Sequence, residues 1–288
     1  MSAVAAPIPA HHRRPLGERL GSLVLPGFTT LLLLFLFAPI AVMILFSFND
    51  PHGRQNITWQ GFTFRNYVEL WGRSQITDAM RNSLIVAAIS TLIATTLGTM
   101  IGLALTRYSF RGRAIMNLLI FIPMTAPEII LGASLLTLWI TFGIARGLAT
   151  ILVAHVMFNI SYVVVTVRAR LAGMNQSLEE AGMDLYADSR TTFWKVTFPI
   201  IFPGILSAAL LAFALSIDDY VITLFSAGST KTFPLWVFGV SRLGIPPEVN
   251  VLGTLIFLVA FIFIAVQLWA QRRQGRTGEA APVTMVGK

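Results

Sequence analysis

A chain of 288 residues that is 55% apolar and only 12% charged carries about half the charge of an ordinary soluble domain, which argues against a water-soluble enzyme. Its net charge of +8 comes without a basic helix or zinc-type spacing, so it points to a membrane rather than to nucleic acid. With no cysteine, disulfides, thiolate metal sites and thiol nucleophiles are excluded.

Residues 1–18 are Ala, Pro, His and Arg with little periodicity and read as a disordered tail. The first apolar run is Leu23–Phe46, behind the basic flank Arg13, Arg14 and Arg19. It is longer than a signal-peptide core and no small-residue cleavage pattern follows, so it reads as an uncleaved span, kinked at Pro39. Asn49–Arg81 is too polar to span. Within it, Gly61–Tyr67 reads as an extended piece entering a short interfacial helix, with Trp59, Tyr67 and Trp71 as boundary anchors.

Five further runs follow: Ser83–Leu105, Ile115–Phe142, Leu148–Val167, Ile201–Phe225 and Val251–Ala270. Gly98 and Gly102 form a G-x-x-x-G pair suited to close helix packing. Pro123 and Pro127 should break or kink the third run beside Glu128. His155, with Asn159 at i+4, reads as a helix–helix hydrogen bond before it reads as a ligand. Six spans put both termini on one side. Segments on that side carry fourteen Lys and Arg against seven on the other, so both termini should be cytoplasmic. The four arginines of Asn49–Arg81 run against that bias. Residues 274–288 read as a second cytoplasmic tail, leaving 19–273 as the membrane domain.

The loop 171–199, LAGMNQSLEEAGMDLYADSRTTFWKVTFP, is long for an inside loop and should have structure of its own. Ser177 and Glu180 have capping-box spacing. Leu178, Ala181 and Leu185 form an apolar stripe, and Glu180, Asp184 and Asp188 an acidic line if the helix continues that far. A second helix can start at Asp188 or Ser189, with Pro199 closing the segment before the fifth span.

Glu180-Ala181-Gly182, Asp184-Leu185, Ala187, Phe193, Val196 and Phe198-Pro199 resemble the EAA loop of ABC importer permeases. The resemblance implies an all-α polytopic membrane protein with the type I, MetI-like permease fold. Ser177, Glu180, Ala181, Gly182, Asp184, Leu185 and Ala187 would then form the helix that docks on a cytoplasmic ATPase. It also implies the partners: a second permease subunit, an ATPase dimer that binds ATP and Mg²⁺ in place of this chain, and an extracytoplasmic binding protein, all at a bacterial inner membrane. Two positions depart from the pattern. Gly182 replaces an alanine, at a helix-propensity cost of about 1 kcal/mol. Tyr186 replaces a glycine, at roughly 1–2 kcal/mol if the backbone there is left-handed.

Glu128, Asp218 and Asp219 interrupt apolar runs and are candidates for a cationic substrate path, set against structural pairing. The stretch Leu215-Ser216-Ile217-Asp218-Asp219-Tyr220-Val221-Ile222 resembles spermidine/putrescine permeases of the PotC and PotI type. So do Pro123–Glu128, Pro234-Leu235 and Gly244–Asn250. That resemblance implies polyamine import; the alternative is import of another small solute. No P-loop, H-E-x-x-H or G-x-S-x-G occurs, so energy should come from another subunit. An intramembrane aspartyl protease is disfavoured because adjacent aspartates on a helix diverge, and a standalone carrier because it needs no docking helix.

Overall fold

The computed structural model describes residues 16–53, 55–72, 74–242 and 244–278. Among these the chain is helical, with one isolated antiparallel bridge between Asn49 and Phe62. The chain divides into two compact units, 1–68 with 245–288, and 69–244.

In the first unit, α1 (Leu16–Ser47) runs through Pro26 and Pro39 and packs with α12 (Pro247–Gly278). Its side chains are largely exposed and apolar, such as Leu31 at 66% and Phe35 at 75%, as lipid contact requires. Helix thus begins at Leu16 and continues to Gly278, inside both segments expected as tails. The rest of those tails, 1–15 and 279–288, lies outside the described residues. Gly253 lets α12 approach α1 closely, since a Cβ there would sit 2.5 Å from Met43 Sδ. Asn49, fully buried, organises the loop that follows α1. Its Nδ2 donates to Asn56 Oδ1 and to the Thr58 carbonyl, and its Oδ1 accepts from the Gln60 amide. Gly61–Phe64 is extended and leads into the short helix α2 (Arg65–Glu69), as the sequence predicts. Tyr67 does more than anchor, because its hydroxyl bonds Ser47 Oγ at 2.7 Å.

The second unit is built on α3 (Ser74–Arg107), α6 (Leu148–Ala172) and α9 (Phe198–Asp218). Ala94 of α3, Val163, Val167 and Leu171 of α6, and Ile201, Ala208 and Ala212 of α9 form one buried cluster. The Gly98 and Gly102 pair packs within the chain against α6. A Cβ at Gly98 would lie 2.6 Å from Val163 Cγ1, and one at Gly102 3.4 Å from Val167 Cγ1.

The third run is two helices, α4 (Arg113–Thr125) and α5 (Glu128–Thr141), bent by 108° at Ala126-Pro127. Pro127 has no amide to donate and forces extended backbone on Ala126 (ψ 139°), which ends α4. The fifth run departs from its expected bounds at both ends. Helix begins at Ser189 with α8 (Ser189–Thr192) and passes through a π-helical turn, Phe193–Thr197, into α9. Pro199 therefore does not close the segment. Its missing amide and its ring are accommodated by the wider π turn, where the Phe198 amide donates to the Phe193 carbonyl. At the far end α9 stops at Asp218 and a separate helix α10 (Val221–Ser226) follows, then α11 (Phe233–Ser241). Four described helices are long and apolar enough to cross a membrane, five with the α4–α5 pair as one span. The apolar part of α12, Pro247–Ile262, is shorter.

Candidate functional site

The loop after α6 holds α7 (Ser177–Asp184). The expected capping box is absent. The Ser177 amide donates to Asn175 Oδ1 at 3.1 Å, so the cap sits two residues earlier than predicted and frees Glu180 to point outward. The helix ends in a Schellman turn. The Ala187 amide donates to the Gly182 carbonyl at 3.3 Å and the Tyr186 amide to the Met183 carbonyl at 2.9 Å. This places Tyr186 at the left-handed position, φ 64°, where glycine is unstrained. The ring is 99% exposed and Leu185 82% exposed. Nothing described here offsets the strain.

Ending at Asp184, the helix does not carry the acidic line to Asp188. Asp188 instead caps α8, accepting from the Thr191 amide at 3.1 Å. Hydrogen bonding from Thr191, side chain and amide, holds its carboxyl below the usual aspartate range. The stripe of Leu178, Ala181 and Leu185 faces outward, as do Glu180 and Asp184, whereas Gly182 and Ala187 turn partly inward. A methyl at Gly182 would meet Val196 and Thr192 at 3.6–3.7 Å, which is ordinary contact.

Two residues that sequence reasoning passed over hold this helix in place. Glu179 Oε2 lies 3.0 Å from Arg107 Nη2 with both side chains about five-sixths buried, and Glu179 Oε1 accepts from Thr197 Oγ1 at 2.6 Å. The pair thus joins the end of α3, α7 and the π turn. Nearby, Arg170 of α6 lays its stem across Gly204, where a Cβ would be 2.6 Å from its Cγ, and donates twice to the Ile200 carbonyl.

The intramembrane carboxylates separate into two roles. Asp219 adopts extended backbone (ψ 122°) between α9 and α10 and caps α10, with Oδ2 accepting from the Thr223 amide and Thr223 Oγ1, both at 2.7 Å. His155 Nε2 stands 2.8 Å from Thr223 Oγ1 and 3.3 Å from Asp219 Oδ2, and its Nδ1 is 2.7 Å from Ser216 Oγ. Thr223 gives its one proton to Asp219, so its oxygen accepts from Nε2–H, a tautomer assigned from the network. Ser216 reaches on to Ser90 of α3 at 3.1 Å. His155 is therefore the helix–helix hydrogen bond expected of it, joining α3, α6, α9 and α10.

Asp218 closes α9 and is exposed. The expected continuous helix through both aspartates is replaced by a break, and that break turns their side chains to different surroundings. Glu128 opens α5, exposed, where the helix dipole favours a carboxylate, and lies within electrostatic reach of Tyr162. Among the described residues no hydrogen bond or ion pair links Glu128 to either aspartate.

Residues 94–276 match the family described as binding-protein-dependent transport system inner membrane component. The chain is 36% identical over 263 residues to the spermidine/putrescine transport system permease protein PotC of Escherichia coli (strain K12), covering 90% of this chain and 99% of that protein. It is 38% identical over 264 residues to the putrescine transport system permease protein PotI of the same organism, covering 88% and 92%. In fold it resembles a chain of a bacterial ABC transporter involved in the import of the acidic polysaccharide alginate. That match has a TM-score of 0.63 at 18% identity, over 92% of this chain and 99% of that one.

Proposed function

The chain belongs to the family of binding-protein-dependent transport system inner membrane components, and from that premise we propose that it is one permease half of a polyamine importer. Six spans, α12 being the sixth, put both termini and α7 on the cytoplasmic side. A second permease completes the pathway, an ATPase dimer binds and hydrolyses ATP with Mg²⁺, and an extracytoplasmic binding protein delivers spermidine or putrescine.

The observation that carries this reading is an outward-facing α7 fixed from behind. Leu178, Leu185 and Tyr186 are exposed, while Glu179 is locked to Arg107 and Thr197. A helix held so on one side and bare on the other suits docking into an ATPase groove. When the ATPases close, α7 moves, and Glu179 passes that displacement to α3 and, through Thr197, to α9. Asp218 and Glu128, exposed and anionic, offer weak contacts to an ammonium chain, while Asp219 holds the α9–α10 break. Weak contacts favour release, so selectivity resides mainly in the binding protein. ATP-dependent uptake of labelled spermidine, putrescine and a neutral sugar by the reconstituted complex tests this. Uptake of the sugar alone would overturn the polyamine assignment.

A further inference from the structure

At the α7 end of the second unit a groove of about 450 Å³ opens between α3, α4 and α6. That volume lies within the roughly 300–1,000 Å³ of small-molecule sites. Its polar wall is Thr106, Arg113, Asn117 and Arg168, and its apolar wall includes Phe121 and Val165. Arg168 Nη1 donates to Asn117 Oδ1 at 2.7 Å, a neutral acceptor that leaves its charge uncompensated. The Arg113 guanidinium has no hydrogen-bond or ion-pair partner among the described residues. Both are half-buried, and no carboxylate lines the groove. The contrast with Arg107, whose charge meets Glu179 at 3.0 Å, is direct.

We propose that this groove binds the phosphate of an anionic phospholipid of the cytoplasmic leaflet, with Arg113 and Arg168 as its two cationic contacts. Two half-buried guanidiniums around one opening repel each other and any cationic cargo, and a phosphodiester can meet both with its two non-bridging oxygens. Basic grooves between spans at the cytoplasmic surface suit such head groups. A lipid is favoured over free phosphate because the groove's α4 residues Asn117 and Phe121 are followed in the chain by exposed apolar ones. There Leu118 at 62% and Ile122 at 45% exposure offer an acyl chain a continuous apolar track. Asn117 positions Arg168 rather than the phosphate. The inference rests on the assignment of the α7 end to the cytoplasm.

The test uses the chain in the complex it forms in its own membrane, purified and placed in nanodiscs of phosphatidylcholine with a trace of photoreactive phosphatidylglycerol. Labelling should concentrate on peptides 113–122 and 165–172. It should fall roughly thirtyfold in the Arg113→Gln, Arg168→Gln double variant, two basic residues acting together. The Arg→Lys pair should retain most of it, which separates lost charge from lost fold. Equal labelling of the Gln variant, or equal labelling by photoreactive phosphatidylcholine, overturns the proposal. So does full competition by millimolar inorganic phosphate, which would mark a free-anion site. Shielding of the groove by ATPase subunits with no lipid label, marking a protein contact, overturns it too. None of these readouts needs transport, so a complex that binds lipid here yet fails to import polyamines refutes only the transport assignment.

Discussion

Glu179 and Arg107 stand 72 positions apart in the chain and 3.0 Å apart in space, and between them they tie the α7 loop to the longest helix of the second unit. Glu180, whose motif position drew attention to the loop, makes no such contact and faces outward.

Glu179→Gln should therefore be more damaging than its place outside the recognised motif implies. Removing one partner of a buried pair costs roughly 3–5 kcal/mol, and the residual exposure here puts the loss toward the lower end. The complex should keep assembling while its thermal midpoint falls and its ATP hydrolysis loses stimulation by substrate. Glu179→Asp should recover part of both. Unchanged stimulation in Glu179→Gln would refute a transmitting role.

Gly182→Ala and Tyr186→Gly should act in the same direction on α7. The alanine methyl meets only ordinary contacts and gains about 1 kcal/mol of helix propensity. The glycine relieves roughly 1–2 kcal/mol of left-handed strain. Amide exchange over 177–187 should slow in each. Coupled hydrolysis should survive Gly182→Ala but weaken in Tyr186→Gly, which loses a fully exposed ring from the face proposed to dock.

Asp218→Asn and Asp219→Asn should differ in kind. The first removes an exposed charge and should raise KM for polyamine with little change in thermal midpoint. The second withdraws charge from a carboxylate that accepts from Thr223 twice and faces His155, so it should lower the midpoint and the maximal rate without changing selectivity. A selective KM effect at Asp219 would reverse these assignments.

Gly98→Ala places a methyl 2.6–2.8 Å from Val163, and the two helices must separate. Overpacking of this kind costs about 1–3 kcal/mol. The thermal midpoint should drop and recover in the Gly98→Ala, Val163→Ala double variant. Gly102→Ala, meeting Val167 at 3.4 Å, should be milder.

The Asp188 cap should be acid-sensitive. Its folded-state carboxyl is depressed, so its stabilisation is complete above the ordinary aspartate value of about 3.9 and is lost as pH falls through the lower folded value. Opening of 188–192, measured by amide exchange corrected for intrinsic rate, should increase below about pH 4 in the parent protein. It should show no such step in Asp188→Asn.

What the sequence displayed well was local. The apolar runs, the Pro127 break, the G-x-x-x-G seam and the left-handed demand at Tyr186 each depend on a few consecutive residues. The Ser177–Glu180 box failed because Asn175 competes for the same Ser177 amide and wins from two residues earlier. Ile201–Phe225 looks continuous in sequence because hydropathy does not register a backbone break inside apolar residues. Asp219 ahead of Val221 and Ile222, an N-cap residue before an apolar turn, was the available signal. The Arg107–Glu179 pair left no local trace at all, because it arises only when α7 docks beneath α3.

The 34 residues of α3 extend for about 51 Å at 1.5 Å per residue. Arg107 marks one end of that length, and near the other the helix is fastened again by Asn82 to the Lys231 carbonyl and by Ser83 to the Phe233 amide. Gly98, pressed on Val163, is the natural fulcrum, and it lies far off centre. A tilt about that point sweeps the Ser74 end roughly two to three times as far as the Arg107 end, in proportion to the residues on each side. On the coupling role proposed for α7, the helix would act as a class-one lever with its short arm at that loop, trading force for reach.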